Sequence, residues 1–451
     1  MVVCFFAHNW HYVRMFDCVR DELKRRGHSC CVLILREPSE EYFRRVSDFN
    51  GADVQIDGFV NGGWHARAVR AGRYIPFFGT LISAWVSYRY VKAYLKRSGA
   101  EVFVVTDDRA LFYPLAALRA ASKLTIPAIL LPVETLMRLD ALKEDKSSIV
   151  PHLTAFRRLA RLIIHRMYSA NVRMNDGKEA HFYQPRALLP FVLFWRTLLP
   201  KNPWVRGSNS AIAKILVNSN AQFEENAVQG LERRCMEVVG FPPHDIVARI
   251  CRDRSGTKRA FEREFNASAE NIFLVLGTHF RGTYDPAEFP AIREELRSVF
   301  GIIETFVPDN HTLAIKLHPG IPEGEWNEYL RVLKTRNVVL VHTQWDAYRL
   351  TAIADAVCMF TSSLVMAALA TDAPVIAYKL RLRSFDEFYQ PYASVRRART
   401  LPELEAQLAR GFVLSGEERE ARRDDRARLG MFDGRSTERT ANAIEKLGKM
   451  G

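Results

Sequence analysis

Short apolar runs alternate with segments of helical period, first over residues 2–132 and again over 272–378, and this rhythm limits the chain to few architectures. In the first block the runs are Val2–Ala7, Cys30–Leu35, the short Val54–Ile56, Val102–Thr106 and Ile126–Pro132. Between them, Val13–Arg26 carries Val13, Phe16, Val19 and Leu23 at helical spacing, and Ile82–Lys96 and Ala110–Ser122 also read as helices. In the second block the runs are Ile272–Leu276, Leu313–Leu317, Val338–Val341, Ala356–Phe360 and Pro374–Tyr378. Strands alternating with helices predict parallel, doubly wound sheets, so the fold class expected is α/β with two such domains facing across a cleft. Residues 1–240 form the predicted first domain and 241–430 the second, entered through Phe241-Pro242-Pro243. Residues 431–451 close the chain with the amphipathic helix Ser436–Leu447. The rhythm breaks at 136–210, a basic and aromatic insertion with a helix over Phe156–Tyr168 and an aromatic, proline-rich stretch over Phe191–Trp204.

Composition narrows the partners. With 48% hydrophobic residues among 451 there is enough apolar side chain for two cores. The net charge of +13 favours an anionic partner such as a phosphorylated substrate, acidic lipid or nucleic acid. Seven scattered cysteines form no CxxC pair, which points to a reducing compartment and away from zinc or a disulfide framework. Met1–Phe6 lacks a basic n-region, and the apolar stretches Ile75–Val86 and Ala187–Leu199 are too short to span a bilayer. A cytoplasmic protein is expected, at most resting on the inner face of the membrane.

Polar groups gather just past the predicted strand ends, where open α/β sheets bind ligands. Lys316, His318 and Pro319 end one strand, and Thr361, Ser362 and Ser363 follow another and precede a helix candidate. A Lys, a His and hydroxyls beside a helix N-terminus suit a phosphate or pyrophosphate. The plainer reading makes the hydroxyls helix caps and His318 a loop residue. Gly277, Thr278, His279 and Arg281 form a short loop after Leu276 that could hold a diphosphate. In the first domain, Asp107 and Asp108 follow a strand and offer a general base, or else an Asx turn. His8 and His11 follow the first strand, and Glu134 follows the strand ending at Pro132. No metal site and no cofactor are expected.

Taken in order, these features resemble the GT-B glycosyltransferases. Gly27-His28 resembles a turn common after the first helix of such domains, and Val217-Asn218-Ser219 with Val238–Pro242 resembles the passage to their second domain. Lys316–Pro319, Thr361–Ser363 and Ala373–Ile376 resemble capsule- and surface-polysaccharide transferases, and Phe432–Arg439 the start of their closing helix. Within that group the pattern is most similar to bacterial sialyltransferases and related CMP-sugar transferases, which carry an acidic pair, a His-Pro motif and a Ser/Thr pair. The resemblance implies a metal-independent enzyme that moves a sugar from a nucleotide donor, CMP-sugar favoured, to a surface-glycan or lipid-linked acceptor. Asp107 or Asp108 would supply the base, His318 and the hydroxyls would hold the nucleotide phosphate, and nucleic acid is not among the partners. Two departures stand out: Arg109 follows the acidic pair where Gly is usual, and Ala367 stands where many GT-B enzymes place a ribose-binding Glu. Two alternatives stay open. Thr278–Arg281 resembles one motif of the non-hydrolysing UDP-N-acetylglucosamine 2-epimerases and Val133-Glu134-Thr135 faintly resembles another, and Ala367 leaves room for an inactive sugar-nucleotide or membrane-binding scaffold. Basic residues interleaved with aromatics in the insertion add an anionic membrane surface as an expected partner.

Overall fold

The structure, a computed structural model, describes residues 1–7, 11–36, 54–58, 76–111, 113–132, 155–175, 178–277, 286–317, 333, 337–341, 345–381 and 385–449. These fall into two compact units. The first runs to Pro242 and takes in the tail from Thr437; the second runs from Pro243 to Ser436.

The first unit holds β1 (Val2–Ala7), α1 (His11–Arg25), β2 (Ser29–Arg36), β3 (Val54–Gly58), α2 (Pro76–Ser98), β4 (Val102–Val105), α3 (Tyr113–Lys123) and β5 (Ala128–Leu130). The chain then forms α4 (Ala155–Met167), β6 (Val172–Asn175), β7 (Lys178–His181) and α5 (Pro185–Phe194) before β8 (Ile212–Val217), α6 (Asn220–Val228) and β9 (Met236–Val238). Seven parallel strands lie in the order β3-β2-β1-β4-β5-β8-β9. Alternation explains why these strands read as unbroken apolar runs: both faces are covered. Val3, Phe5 and Val104 pack with Phe16 and Val19 of α1, while Cys4, Phe6, Phe103 and Val105 pack with Val91 and Leu95 of α2.

The second unit holds α7 (His244–Arg252), α8 (Arg254–Phe265), β10 (Ile272–Leu276), α9 (Phe289–Phe306), β11 (Thr312–Lys316), β12 (Val338–Val341), α10 (Ala347–Ile353) and β13 (Ala356–Met359). It continues with α11 (Val365–Leu369), β14 (Val375–Tyr378), α12 (Phe385–Tyr389), β15 (Arg396–Ala398), α13 (Leu401–Ala409) and α14 (Gly416–Leu429). Six parallel strands lie in the order β12-β11-β10-β13-β14-β15. Helix α15 (Ser436–Gly448) then returns to the first unit, where Ala441 and Ile444 join the cluster around Phe16. The Gly27-His28 turn meets it there: Gly27 adopts φ +85°, and the His28 ring lies 2.8 Å from the Glu445 carboxylate.

The two doubly wound domains expected from the sequence are present. To the helix expected in the insertion the structure adds an antiparallel β6–β7 hairpin and helix α5. Its aromatics divide. Phe191 and Trp204 are buried in a small core with Phe182, Tyr183 and Ile164, whereas Phe194 is 61% exposed. Among the described residues, no helix is long and apolar enough to cross a membrane.

Strand β15 escaped the sequence reading because its residues are Arg396, Arg397 and Ala398. Arg396 is buried by pairing. Its Nε and Nη2 reach the Glu418 carboxylate at 2.8 and 2.9 Å, and its Nη1 donates to the Gly411 carbonyl at 2.6 Å. Glu418 also closes a capping box with Ser415 at the start of α14. The Arg396 guanidinium holds the Glu418 carboxyl down from the usual 4.5 to about 2. Because the folded pKa lies below the unfolded one, the resulting stability is present above pH 4.5 and lost as pH falls toward 2. Glu418→Gln should cost about 3 kcal/mol at neutral pH and flatten the loss of stability over that acid range. Urea unfolding at a series of pH values tests this; an unchanged acid slope in the variant would show that the pair is not linked to folding.

Candidate functional site

In the second sheet, β10 is flanked by β11 and β13, with Leu276 in register with Lys316 on one side and Met359 on the other. The chain winds from β10 to β12 in one direction and restarts at β13 in the other, which makes this a topological switch point. With strands about 4.8 Å apart, Gly277, Lys316 and the Phe360-Thr361 turn leave the sheet within about 10 Å of one another. The Gly277 N–H donates to the Lys316 carbonyl at 2.9 Å, so the strand pairing runs on to the edge. Leu313, Ile315 and Leu317 belong to the core cluster of one face, and Lys316 therefore alternates onto the other, 8% exposed. Thr361 and Ser362 are half-buried and Ser363 is exposed.

The hydroxyl run is a turn before it is anything else. Ser362 Oγ accepts the Leu364 N–H at 3.3 Å, and the Tyr389 hydroxyl fixes the Phe360 carbonyl at 2.9 Å. Helix α11 behind it has five residues and no side-chain cap. Its dipole is correspondingly slight, so an anion held here would depend on the hydroxyls and Lys316 more than on the helix end expected from the sequence. Ala367 is fully buried against Val247 and Ala352. That position faces a helix interface, so the missing Glu removes no side chain from the strand-end edge.

The first sheet has its own switch point at β1, where Phe6 lies in register with Leu33 and with Val105. Two residues beyond Val105 the acidic pair divides. Asp107 Oδ1 accepts the Arg109 N–H at 3.1 Å and lies 3.4 Å from its Nε, with 18% of the side chain exposed. Asp108 is completely buried. Its Oδ1 accepts the Gly207 N–H at 3.0 Å and its Oδ2 the Asn209 N–H at 3.1 Å. Burial, helped by the Asp107 charge, pushes its pKa up against the pull of Arg109, these N–H groups and Arg206. Gly207 is bound to its place: φ is +94°, and a Cβ there would come 2.7 Å from Ile215. Next to it, Arg206 Nη2 donates to the Thr106 carbonyl at 2.7 Å and to that of Leu131, gripping the ends of β4 and β5. The Tyr183 hydroxyl donates to the Arg109 carbonyl. Asp108 is thus the post to which the insertion is tied, and Asp107 is the member of the pair that reaches solvent.

His8, Glu134, Thr278, His279, Arg281, His318 and Pro319 lie outside the described residues. His11 opens α1. A concavity of about 880 Å³, lined by Asn271, His311, Asp355 and Arg419 among others, opens at the amino ends of the second sheet's strands. It lies at the sheet edge opposite Lys316 and takes no part in this site. Sequence reasoning missed a cluster of His165, Glu179 and His181 on α4 and β7. The Asp176-Gly177 pair is a two-residue hairpin signal that could have brought Glu179 and His181 under α4.

No protein-family model matches the sequence, and no curated protein does. Solved structures match over the whole length. A Methanocaldococcus jannaschii UDP-GlcNAc 2-epimerase in complex with UDP-GlcNAc and UDP is 12% identical with TM-score 0.53, covering 99% of this chain and 100% of that one. A variant of the wall teichoic acid polymerase TagF is 12% identical with TM-score 0.57, covering 100% and 89%. Phytolacca americana UGT2, complexed with UDP-2-fluoro-glucose and pterostilbene, is 13% identical with TM-score 0.52, covering 99% and 98%. At such identity the likeness is one of fold, and the fold is GT-B.

The division of the acidic pair has a measurable consequence. Asp108→Ala would leave the Gly207 and Asn209 N–H groups buried without acceptors and should cost about 2–5 kcal/mol. Asp107→Ala loses a partly exposed contact and should cost under about 1 kcal/mol. Urea midpoints compare them; equal losses would refute the anchoring role of Asp108.

Proposed function

We propose that this protein is a glycosyltransferase that moves a sugar from a nucleotide-activated donor to a glycan or lipid-linked acceptor. The observation that carries the reading is the register of β11, β10 and β13, which brings Lys316, Gly277 and Thr361–Ser363 to one switch-point edge. A buried lysine and adjacent hydroxyls suit the diphosphate or phosphate of a nucleotide. His318, two residues beyond Lys316, is assigned to the same phosphate, with Pro319, Thr278, His279 and Arg281 as further donor-binding residues. In the reaction the acceptor oxygen bonds to the anomeric carbon as the carbon–phosphate oxygen bond breaks. The nucleotide leaves with the charge, and the acceptor proton goes to a carboxylate. Asp107 is our candidate base, because Asp108 has both oxygens engaged and no exposed surface. Stabilising the leaving phosphate with preorganised donors is the main catalytic term in such a scheme.

The donor nucleotide divides the readings. The acidic pair, His-Pro and Ser-Ser pattern favours a CMP-sugar, while two of the structures similar in fold carry UDP or UDP-sugars. A UDP-GlcNAc 2-epimerase is the second reading, favoured by the full-length fold likeness to such an enzyme.

A lipid-linked acceptor draws support from the first unit. Helices α2, α4 and α5 pack together, yet expose Trp85 at 47%, Leu162 at 68% and Phe194 at 61%. Arg89 lies 5.6 Å over the Trp85 ring, and Arg166 and Arg196 are exposed on the same helices' surface or just beyond. Exposed aromatic and aliphatic tips together with exposed arginines suit the boundary of an anionic bilayer. Arg161 is set apart from that face by its ion pair with Glu179, 2.6 Å long.

One of CMP, CDP, UDP and GDP should raise the melting temperature of the purified protein, and His318→Ala should abolish that rise and slow turnover ~10²–10³-fold. No shift with any of them would sink the donor-site assignment. Inversion at C2 of UDP-GlcNAc without transfer would favour the epimerase. Separately, wild-type protein should co-sediment with vesicles containing acidic lipid, and Leu162→Asp with Phe194→Asp should weaken this at least tenfold. Indifference of the wild type to such vesicles at low salt would point to a soluble acceptor.

A further inference from the structure

Away from both strand-end edges, the insertion brings two imidazoles and a carboxylate together. Glu179 and His181 stand two residues apart on β7, so their side chains leave the same face of the strand. His165 comes from the last turn of α4. Glu179 Oε2 lies 3.3 Å from His165 Nε2 and 3.4 Å from His181 Nε2. One ligand atom from each of the three residues lies within 4.8 Å of the other two, and the two rings stand edge to face with centroids 6.2 Å apart.

These separations decide between two accounts. A charge-assisted hydrogen bond from imidazole to carboxylate closes to about 2.7–2.9 Å. Here one carboxylate oxygen stands well outside that distance from two rings at once. Ligands at about 2.0–2.1 Å from a tetrahedral ion are separated by about 3.3–3.4 Å along each edge, which is the spacing of the two edges from Glu179 Oε2 to the imidazoles, while the third, between the rings, is within 4.8 Å. The other carboxylate oxygen is already committed: Arg161 Nη2 holds Oε1 at 2.6 Å. That contact fixes the carboxylate plane and leaves Oε2 as a single ligand, the role that outer-shell partners play at metal centres. His181 is 11% exposed and Glu179 24%, while His165 is 38% exposed and leaves a route for the ion and for a water.

We infer that His165, Glu179 and His181 form a three-ligand site for a divalent transition ion of the zinc class, with its fourth position open to solvent. Two imidazoles and one carboxylate select zinc-like ions over magnesium or calcium, which prefer oxygen donors throughout. The bound ion ties the β6–β7 hairpin to α4. It sits outside the glycosyl-transfer scheme proposed above and stands or falls apart from it.

Untagged full-length protein, stripped with chelator, is titrated with zinc chloride by calorimetry, and its melting temperature is followed with zinc, magnesium or calcium. Equimolar zinc uptake and a melting rise specific to zinc are expected. His165→Gln, a change at the most exposed ligand, should weaken zinc binding at least tenfold while leaving the metal-free melting temperature near wild type. His181→Ala and Glu179→Gln should do the same to binding. Cobalt(II) should give the visible bands of a tetrahedral nitrogen and oxygen site without thiolate charge transfer, which separates this cluster from the cysteines. No zinc uptake by the wild type overturns the inference. So does His165→Gln binding zinc as tightly as wild type, or cobalt bands of a thiolate site.

Discussion

A single buried carboxylate holds the first unit's edge in order. Asp108 leaves the end of β4 and accepts the backbone N–H groups of Gly207 and Asn209, about a hundred residues later. Between those points the chain makes α3 and adds β5 to the sheet, then makes α4, a hairpin and α5, which lie outside the main sheet. The insertion needs a fixed attachment if it is to bury Phe182, Phe191 and Trp204 against α2 and α3. Arg206 strengthens the attachment by bonding the carbonyls that end β4 and β5, and Asn171 adds two bonds to the backbone of Tyr183. Taking a charge out of water is costly, which is why the pKa of Asp108 rises. The arrangement persists because several N–H donors converge on it from a turn that only glycine can make at 207.

Much of the fold was legible because parallel strands buried on both faces are written as plain apolar runs. Val2–Ala7 and Ile272–Leu276 coincide with their strands, and Val338–Val341 does too. What escaped was structure held by polar pairing. Strand β15 is two arginines and an alanine, and its burial depends on Glu418 and on carbonyls at 411 and 413. Strand β6, VRMN, alternates over only four residues and β7, KEAH, does not alternate, so neither stands out as a strand. The partners that bury β15 lie 15 to 22 residues downstream of Arg396.

The candidate site was legible in position and less so in role. The rule that ligands gather beyond the carboxyl ends of strands placed Lys316, Thr361–Ser363 and the acidic pair at sheet edges, and register brings the first two groups alongside each other. Turn chemistry could not say which aspartate would be swallowed by the fold, since that depends on residues 206–209. The His165, Glu179 and His181 cluster was invisible for a related reason. Its members are spread over 17 positions without a metal-binding spacing, and a helix packing over a hairpin is what gathers them.

The return of α15 to the first sheet makes the order of synthesis matter. Ala441 and Ile444 cover the same core face as Phe16, Val19 and Leu23, and Arg26 reaches Asn442 at 2.6 Å. A ribosome must therefore complete residues 243–436 before that face can be closed. At 5–20 residues per second the wait is about 10–40 s, long beside the time in which a domain collapses. Through that interval the nascent first unit carries an open apolar stripe along α1 and β1, where it can meet other unfinished chains before its own tail arrives.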